Sequence, residues 1–286
     1  MQLVDLHVHS TASDGTLTPA QVVSYAVSKQ LTAIALTDHD TIDGLEEALG
    51  AARGLPIEVV PGIELSCVYH ETEIHILGLF VDRTQKRFTD ELVNIREIRN
   101  ARNQEMIRRF NQAGITISEA DLQSGHPETV ITRAHCAKVL VEKGYASSLD
   151  QAFKKFLQYG GPYCMRKEKI TPQKAMDILR FGHAVPVLAH PVQYKLGDKQ
   201  TEELVVTLKA MGLRGIEVYH SSHNQYESGK LKQLCTKYHL LPTGGSDFHG
   251  ANKPDVDLGC GRGGMRVSSL LLEDIRREAA ALDTGL

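Results

Sequence analysis

A short apolar run that ends in histidine, aspartate or glutamate and then hands over to a helix recurs through two long stretches of this chain. Leu3-Val4-Asp5-Leu6-His7-Val8-His9 is the first such run. Its apolar residues mark a buried strand, and side chains alternate sides along a strand, so His7 and His9 leave it on one face. Thr18-Pro19 then reads as an N-cap followed by proline in the first helical turn, ahead of an apolar stripe at Val22, Val23, Ala26 and Val27. The unit repeats. Ala33 to Leu36 runs into Thr37-Asp38-His39-Asp40 and a helix through Leu45, Ala48 and Leu49. Ile57 to Val60 runs into Pro61-Gly62-Ile63-Glu64, and a fourth strand, Glu73 to Phe80, carries His75.

At about Thr84 the alternation stops. From there to about Lys169 the pattern is helical and charged: a long helix closed by Gly114, a helix from Arg133 to Lys143 closed by Gly144, and one from Leu149 to Tyr159 closed by Gly160-Gly161-Pro162. Strand and helix resume at Thr171-Pro172. Ala184 to Ala189 ends at His190-Pro191, Leu213 to Tyr219 ends at His220, and Leu240 to Gly245 ends at Ser246-Asp247-Phe248-His249-Gly250. A helix from Leu270 to Leu282 follows. About seven units predict an α/β fold, a (β/α)7 barrel in two segments, 1–83 and 170–286, with a helical insertion over 84–169.

Composition excludes several partners. A formal net charge of -3 gives no global basic field for duplex DNA. The five cysteines are scattered and never spaced C-x-x-C, which argues for a reducing cytoplasm and against a cysteine zinc module. No apolar run approaches the roughly 18 residues of a membrane helix, and no signal-like segment opens the chain, so a cytoplasmic protein without membrane partners is expected.

Barrel enzymes build their active sites from the C-terminal ends of the strands. His7, His9, Asp14, His39, Glu64, His75, His190, Asp247 and His249 all fall there. Any one of them alone is more simply a satisfied structural residue; their common position makes them a metal site. Nine ligands exceed the three residues and a water of one catalytic zinc, so two or three divalent ions are expected, with Glu64 offering an oxygen to each of two. Imidazole and carboxylate without thiolate suit manganese foremost, with iron, zinc or magnesium as alternatives.

Asp5-Leu6-His7-Val8-His9-Ser10, Thr37-Asp38-His39-Asp40, Pro61-Gly62-Ile63-Glu64, His75, Ala189-His190-Pro191 and Gly245-Ser246-Asp247-Phe248-His249 together resemble the motifs of the PHP (polymerase and histidinol phosphatase) family. The resemblance covers both barrel segments. The helical insertion and Val218-Tyr219-His220 resemble, within that family, the 3′,5′-nucleoside bisphosphate phosphatases and the RNase AM type of 5′ exoribonuclease. It implies a distorted seven-stranded, TIM-like barrel and a trinuclear cluster. One site would be His7, His9, Glu64 and Asp247, a second Glu64, His75 and His190, and a third Asp14, His39 and His249. Some family members carry histidine where this chain has Asp14, which favours a harder ion there.

The insertion supplies candidate phosphate ligands. Arg99 and Arg102, three apart on a helix, share a face, the alternative being a solvated charged surface. Arg133 and His135 fall in a first helical turn, where cations oppose the macrodipole and a bound phosphate would compensate them. Arg166, Lys167 and Lys169 read as a solvated return loop.

The expected reaction is attack of a metal-bridging hydroxide on the 3′-phosphate of a nucleoside 3′,5′-bisphosphate, leaving the nucleoside 5′-monophosphate. Asp14, His220 and His249 are the candidate catalytic groups, the two histidines as proton donors to the leaving oxygen. The same chemistry on short single-stranded RNA with a 5′-phosphate would make a 5′ to 3′ exoribonuclease. A histidinol-phosphatase-like or amidohydrolase activity fits the barrel mouth but leaves the arginines unexplained. A vestigial barrel serving as a polymerase accessory module conflicts with the complete ligand set.

Overall fold

The computed structural model describes residues 2–123, 129–158, 160–164 and 170–283. Chain order runs β1 (Leu3–Val8), α1 (Pro19–Ser28), β2 (Ala33–Leu36), α2 (Leu45–Ala51), β3 (Glu58–Tyr69) and β4 (Thr72–Leu79). Four helices follow without a strand: α3 (Lys86–Gln112), α4 (Glu119–Gln123), α5 (Arg133–Glu142) and α6 (Leu149–Lys155). The remainder is α7 (Pro172–Phe181), β5 (Val185–Leu188), α8 (Asp198–Ala210), β6 (Gly215–His220), α9 (Gln225–Tyr238), β7 (Leu241–Gly245), β8 (Val267–Ser268) and α10 (Ser269–Asp283). The repeated Thr-Pro signal starts α1 and α7 alike: Thr18 and Thr171 each accept a backbone N–H three residues on, and each is followed by proline.

The eight strands form one sheet in the order β7-β6-β5-β4-β3-β2-β1-β8. It curls into a nearly closed mixed barrel, because the chain just past β7 turns back onto β1: Asp247 donates its N–H to the His7 carbonyl at 2.9 Å, and His9 donates to Phe248 at 3.0 Å. Two features depart from a uniform (β/α)7 repeat. β3 runs on to Tyr69 and folds back as a hairpin onto β4, which is also antiparallel to β5. Only His70 and Glu71 separate β3 from β4, and a parallel neighbour would need a crossover of roughly a dozen residues. The eighth strand, β8, pairs antiparallel with β1 across two residues.

The strands are buried on both faces, as parallel barrel strands must be. Val4, Leu6, Ala33, Ala35, Val185 and Val187 pack with Leu272 and Ile275 of α10, whereas Val8, Ile34, Leu36 and Ile63 join the layer under α1 and α2. A separate apolar cluster, including Met106, Phe110, Leu122, Leu140 and Phe156, holds α3 to α6 together. α3 belongs to both: Phe88, Leu92 and Ile95 enter the barrel's layer, and Met106 and Phe110 enter the other. The helix expected to reach Tyr159 ends at Lys155, and Tyr159 itself lies outside the described residues, as do Ser124 to Glu128 and the basic residues Arg166, Lys167 and Lys169. Among the described residues no helix is long and apolar enough to cross a membrane.

Where the barrel closes there is no room for a side chain at Gly245, since a Cβ there would stand 2.3 Å from the Cβ of His7. Gly245→Ala is therefore expected to force β7 off β1 and to lower stability by about 3 kcal/mol. The shift in the urea unfolding midpoint measures it, and an unchanged midpoint would mean that the barrel closes elsewhere.

Candidate metal centre

All nine residues singled out at the strand ends meet at one end of the barrel. His7 and His9 are both fully buried and their Nε2 atoms are 3.1 Å apart, as their alternate placement on β1 requires. Glu64, on β3, stands at the centre. Its Oε2 lies 3.3 Å from His7 Nε2, 3.2 Å from His9 Nε2 and 3.1 Å from His39 Nδ1. Its Oε1 lies 2.9 Å from both His75 Nδ1 and His190 Nε2. One carboxylate thus faces three imidazoles with one oxygen and two with the other.

Asp14 and Asp247 extend the cluster on either side. Asp14 is 3.2 Å from His249 Nε2 and 3.8 Å from both His9 and His39. Asp247 Oδ1 lies 3.5 Å from His9 and 3.7 Å from His7, and its Oδ2 is 3.4 Å from His220 Nε2. Donor atoms gather into overlapping groups whose members lie within 4.8 Å of one another: His9, Asp14, His39 and His249; His7, Glu64 and His190; His39, Glu64 and His75; and His7, Asp247 and His220. His220, read from sequence as a proton donor, is the tenth member.

The donor set fits divalent ions. Among the described residues Glu64 Oε2, His39 Nδ1 and His220 Nε2 are buried without a hydrogen-bond partner, although each lies close to another donor atom of the cluster. Lone pairs aimed at a shared point instead of at a proton are what a metal site supplies. Imidazole and carboxylate without thiolate suit a borderline or hard ion. Burial alone would neutralise the carboxylates, yet His39, His7 and His75 hold Glu64 well below the usual range. Against the same burial, Lys253, His249 and His7 do so for Asp247, and His249 and His39 for Asp14. Burial pushes His190 down to about 4, leaving its ring neutral. Burial also lowers His7 and His75, but Glu217 and Glu64 outweigh it at His7, and Glu64 does at His75, which rises to about 9.

Buried groups around the cluster hold it in place, and of these sequence reasoning singled out Asp5 but missed Glu217, Asp38 and Thr132. Glu217, fully buried on β6, accepts from His7 Nδ1 at 3.0 Å with one oxygen and from the His190 N–H at 2.7 Å with the other. A lone acid inside the apolar run Gly215 to Val218 was the available signal. Asp38 binds the Ser10 N–H at 2.8 Å and the hydroxyls of Ser10 and Ser13 at 2.6 Å, fixing the loop that carries Asp14. Asp5 accepts the N–H groups of Ser246 and Gly259, both at 2.8 Å, and so ties β1 to the segments that follow β7. Thr132, the N-cap of α5, donates to Asp14 at 2.9 Å.

Beside the cluster lies a cavity of about 220 Å³. Asp14, His39, His75 and His249 line one side, and Arg99, Arg102, Arg133 and Lys253 line others. Arg99 and Arg102 are buried, not solvated. Arg99 pairs with Asp40 and reaches Ser66 at 3.2 Å. Arg133 donates to Glu73 at 2.6 Å, so a carboxylate from β4 already supplies the compensation its place at a helix start demands. Among the described residues Arg102 is held only by Asn103, at 3.0 Å, and forms no ion pair. Burial and then Arg99 lower it to about 10. His135 does not line the cavity; its Nδ1 accepts the Thr132 N–H at 3.0 Å and completes the capping box of α5.

Comparison with known proteins gives consistent matches. A family model described as a PHP domain matches residues 5–163. The 5′-3′ exoribonuclease Rnm of Escherichia coli (strain K12) is 35% identical over 259 residues, covering 90% of this chain and 88% of that protein. A 3′,5′-nucleoside bisphosphate phosphatase of Chromobacterium violaceum is 33% identical over 261 residues, 91% of each. A phosphoribosyl 1,2-cyclic phosphate 1,2-diphosphodiesterase of Eggerthella lenta is 32% identical over 250 residues, 86% of this chain and 94% of the other. Among solved structures, an amidohydrolase from Chromobacterium violaceum with bound sulfate and no metal superposes with a TM-score of 0.85 at 32% identity, covering 98% of this chain and 96% of that one. A Bifidobacterium adolescentis chain put forward as a metal-dependent phosphoesterase has a TM-score of 0.83 at 28% identity, with 96% and 95% covered.

Two measurements test the centre. Metal ligation needs neutral imidazoles, while Glu64 raises the pKa of His75 to about 9, so that its ring holds a proton at pH 7.5 in the metal-free protein. Metal uptake at that pH is expected to release protons, seen with an indicator dye in weak buffer, and affinity should climb with pH towards 9; uptake without proton release would contradict the assignment. Glu217→Gln should lower metal affinity about 10- to 100-fold by weakening the orientation of His7, as read by competition with a chelator.

Proposed function

The chain belongs to the PHP domain family and is a metal-dependent phosphoesterase, and we propose that it removes the 3′-phosphate from nucleoside 3′,5′-bisphosphates. The observation that carries this reading is Arg102, a buried guanidinium without an ion-pair partner among the described residues, in the wall of the cavity that the donor cluster also lines. A buried charge left unpaired is costly, and an anion entering the cavity supplies the missing partner. One cavity thus offers two stations for phosphate, one at the His, Asp and Glu donors and one at Arg99, Arg102 and Arg133. A substrate with two phosphates on one ribose matches that pair of stations.

In this reading His7, His9, Glu64 and Asp247, Glu64 with His75 and His190, and Asp14 with His39 and His249 hold two or three divalent ions, manganese foremost. When bound, such ions supply Lewis acidity to phosphoryl oxygens and lower the pKa of water to near neutrality. The protein's own residues orient the ester. Arg102 and its two neighbours grip the 5′-phosphate, so that the 3′-phosphate reaches the donor cluster. Lys253, which donates to Asp247 at 2.6 Å and lines the cavity, adds positive charge where negative charge develops on the phosphoryl group. Hydrolysis forms one P–O bond from water and breaks the P–O3′ bond, and the 3′-oxygen takes a proton. His249 lines the cavity and His220 does not, which favours His249 for that proton whenever its ring is not ligating an ion.

Short RNA with a 5′-phosphate presents the same first nucleotide with a diester at the 3′ position, and the E. coli relative carries the name of an exoribonuclease. The 5′ to 3′ exoribonuclease reading is therefore kept as the second one. Amidohydrolase chemistry would leave the arginine wall without a role.

Phosphate release from adenosine 3′,5′-bisphosphate, compared with adenosine 3′-monophosphate, tests the division of labour. Arg102→Ala should lower kcat/KM for the bisphosphate about 100-fold, the loss of a charge-assisted interaction of roughly 3 kcal/mol, and barely affect the monophosphate. If Arg99→Ala, Arg102→Ala and Arg133→Ala all left the ratio between the two substrates unchanged, the arginines would not be reading a second phosphate.

A further inference from the structure

A second cavity, a groove of about 630 Å³, opens between α9 and the segment that precedes β8. It shares no lining residue with the arginine-walled cavity. The link to the cluster is His220, which lines the groove and whose Nε2 lies 3.4 Å from Asp247 and within the donor group of His7 and Asp247. Lys232, Arg262 and Arg266 also line it, and the lining holds no aspartate or glutamate. In a chain of net charge -3 that is a local excess of positive charge. Arg262 is fixed by Asp255 at 2.6 Å and by the Ser221 carbonyl at 3.1 Å. Lys232 and Arg266 are exposed and form no ion pair among the described residues. Tyr219 and Met265 give the same groove an apolar floor.

Size and charge together select the occupant. A lone phosphate needs far less room, and 630 Å³ falls in the range of sites for nucleotide-sized ligands. Cations that follow a backbone, beside apolar or aromatic surface that accepts bases, are how single strands are bound without regard to sequence. The geometry points to this groove as the track for single-stranded RNA on the 3′ side of the scissile phosphate. This inference rests on the proposed function above, and within it favours RNA as a substrate. With the 5′-terminal nucleotide gripped by Arg102 and the first phosphodiester at the donor cluster, the strand attached through that phosphate's 5′-oxygen leaves past His220 into the groove. After the P–O3′ bond breaks, the shortened strand keeps its phosphate and stays on Lys232, Arg262 and Arg266.

The test compares 5′-phosphorylated oligoribonucleotides of two to six residues with adenosine 3′,5′-bisphosphate, using the metal-loaded full chain. For the wild type, kcat/KM should rise as nucleotides are added 3′ of the scissile bond. In the double variant Lys232→Ala, Arg266→Ala the oligonucleotide-to-bisphosphate ratio of kcat/KM should fall about tenfold or more, and the salt dependence of oligonucleotide cleavage should weaken by about 1.4 in log–log slope, near 0.7 for each phosphate no longer neutralised. Lys232→Arg with Arg266→Lys should restore both. Turnover of both substrates with a ratio and slope unmoved by the alanine pair would overturn the groove while leaving the phosphatase reading intact. Turnover of neither substrate by the wild type would overturn both.

Discussion

Everything at the mouth of this barrel is arranged around one buried carboxylate. Glu64 sits among five imidazoles, His7, His9, His39, His75 and His190, all within 3.3 Å of its two oxygens. An ionised carboxylate at that depth survives only because it is surrounded by groups that hydrogen-bond to it or share a cation with it. The same crowding is unfavourable for the histidines unless something positive draws their lone pairs together, and so the protein part of the site is incomplete by construction. The two oxygens of Glu64 face different sets of rings, which gives a single side chain the geometry to join two ion sites.

Holding such a cluster requires a frame that does not relax. Asp5, Asp38 and Glu217 are buried carboxylates that bind backbone N–H groups or the outer nitrogen of His7, and none of them faces the cavity beside the cluster. Asp40, His190 and Asp247 also occupy the left-handed region, at φ 53°, 25° and 59°. Each such residue costs of order 1–3 kcal/mol, and the conformation persists because neighbouring strands and these carboxylates over-determine it. Strain and burial at one end of the barrel are offset by the apolar layers that bury both faces of its strands.

Much of this is legible in the chain's spacing. Period-two alternation puts His7 and His9 on one face, and the strand-end positions of His190 and Asp247 bring them to the same site, because strand direction decides where a barrel's polar ends collect. The hairpin of β3 and β4 is not legible in the same way, since the apolar run beyond Pro61 looks like the end of a strand and not its middle. Glu217 is hidden for a different reason. Its partner His7 is 210 positions away, and the apolar run around the acid marks burial without showing what it binds. His135, suited by type to phosphate, gives its Nδ1 to its own helix cap. Arg133 does need a counter-charge, as its place at a helix start implies, but the strand that supplies Glu73 can be found only in three dimensions.

The helix α3 is one uninterrupted rod of 27 residues, rooted by Phe88, Leu92 and Ile95 in the barrel's apolar layer and finished by Met106 and Phe110 in a core of its own. Arg99 and Arg102 fall between those two anchorages, and Asp40 fastens Arg99 to the barrel from below. Their separation from the His, Asp and Glu cluster is therefore a property of the barrel and does not depend on how α4 to α6 are arranged. Leu149 and Phe153 of the cavity wall belong to α6. Exchanging that outer wall would reshape the cavity while the spacing between the His, Asp and Glu cluster and the two arginines stayed as it was: what fits between them is evolvable separately from the groups on either side.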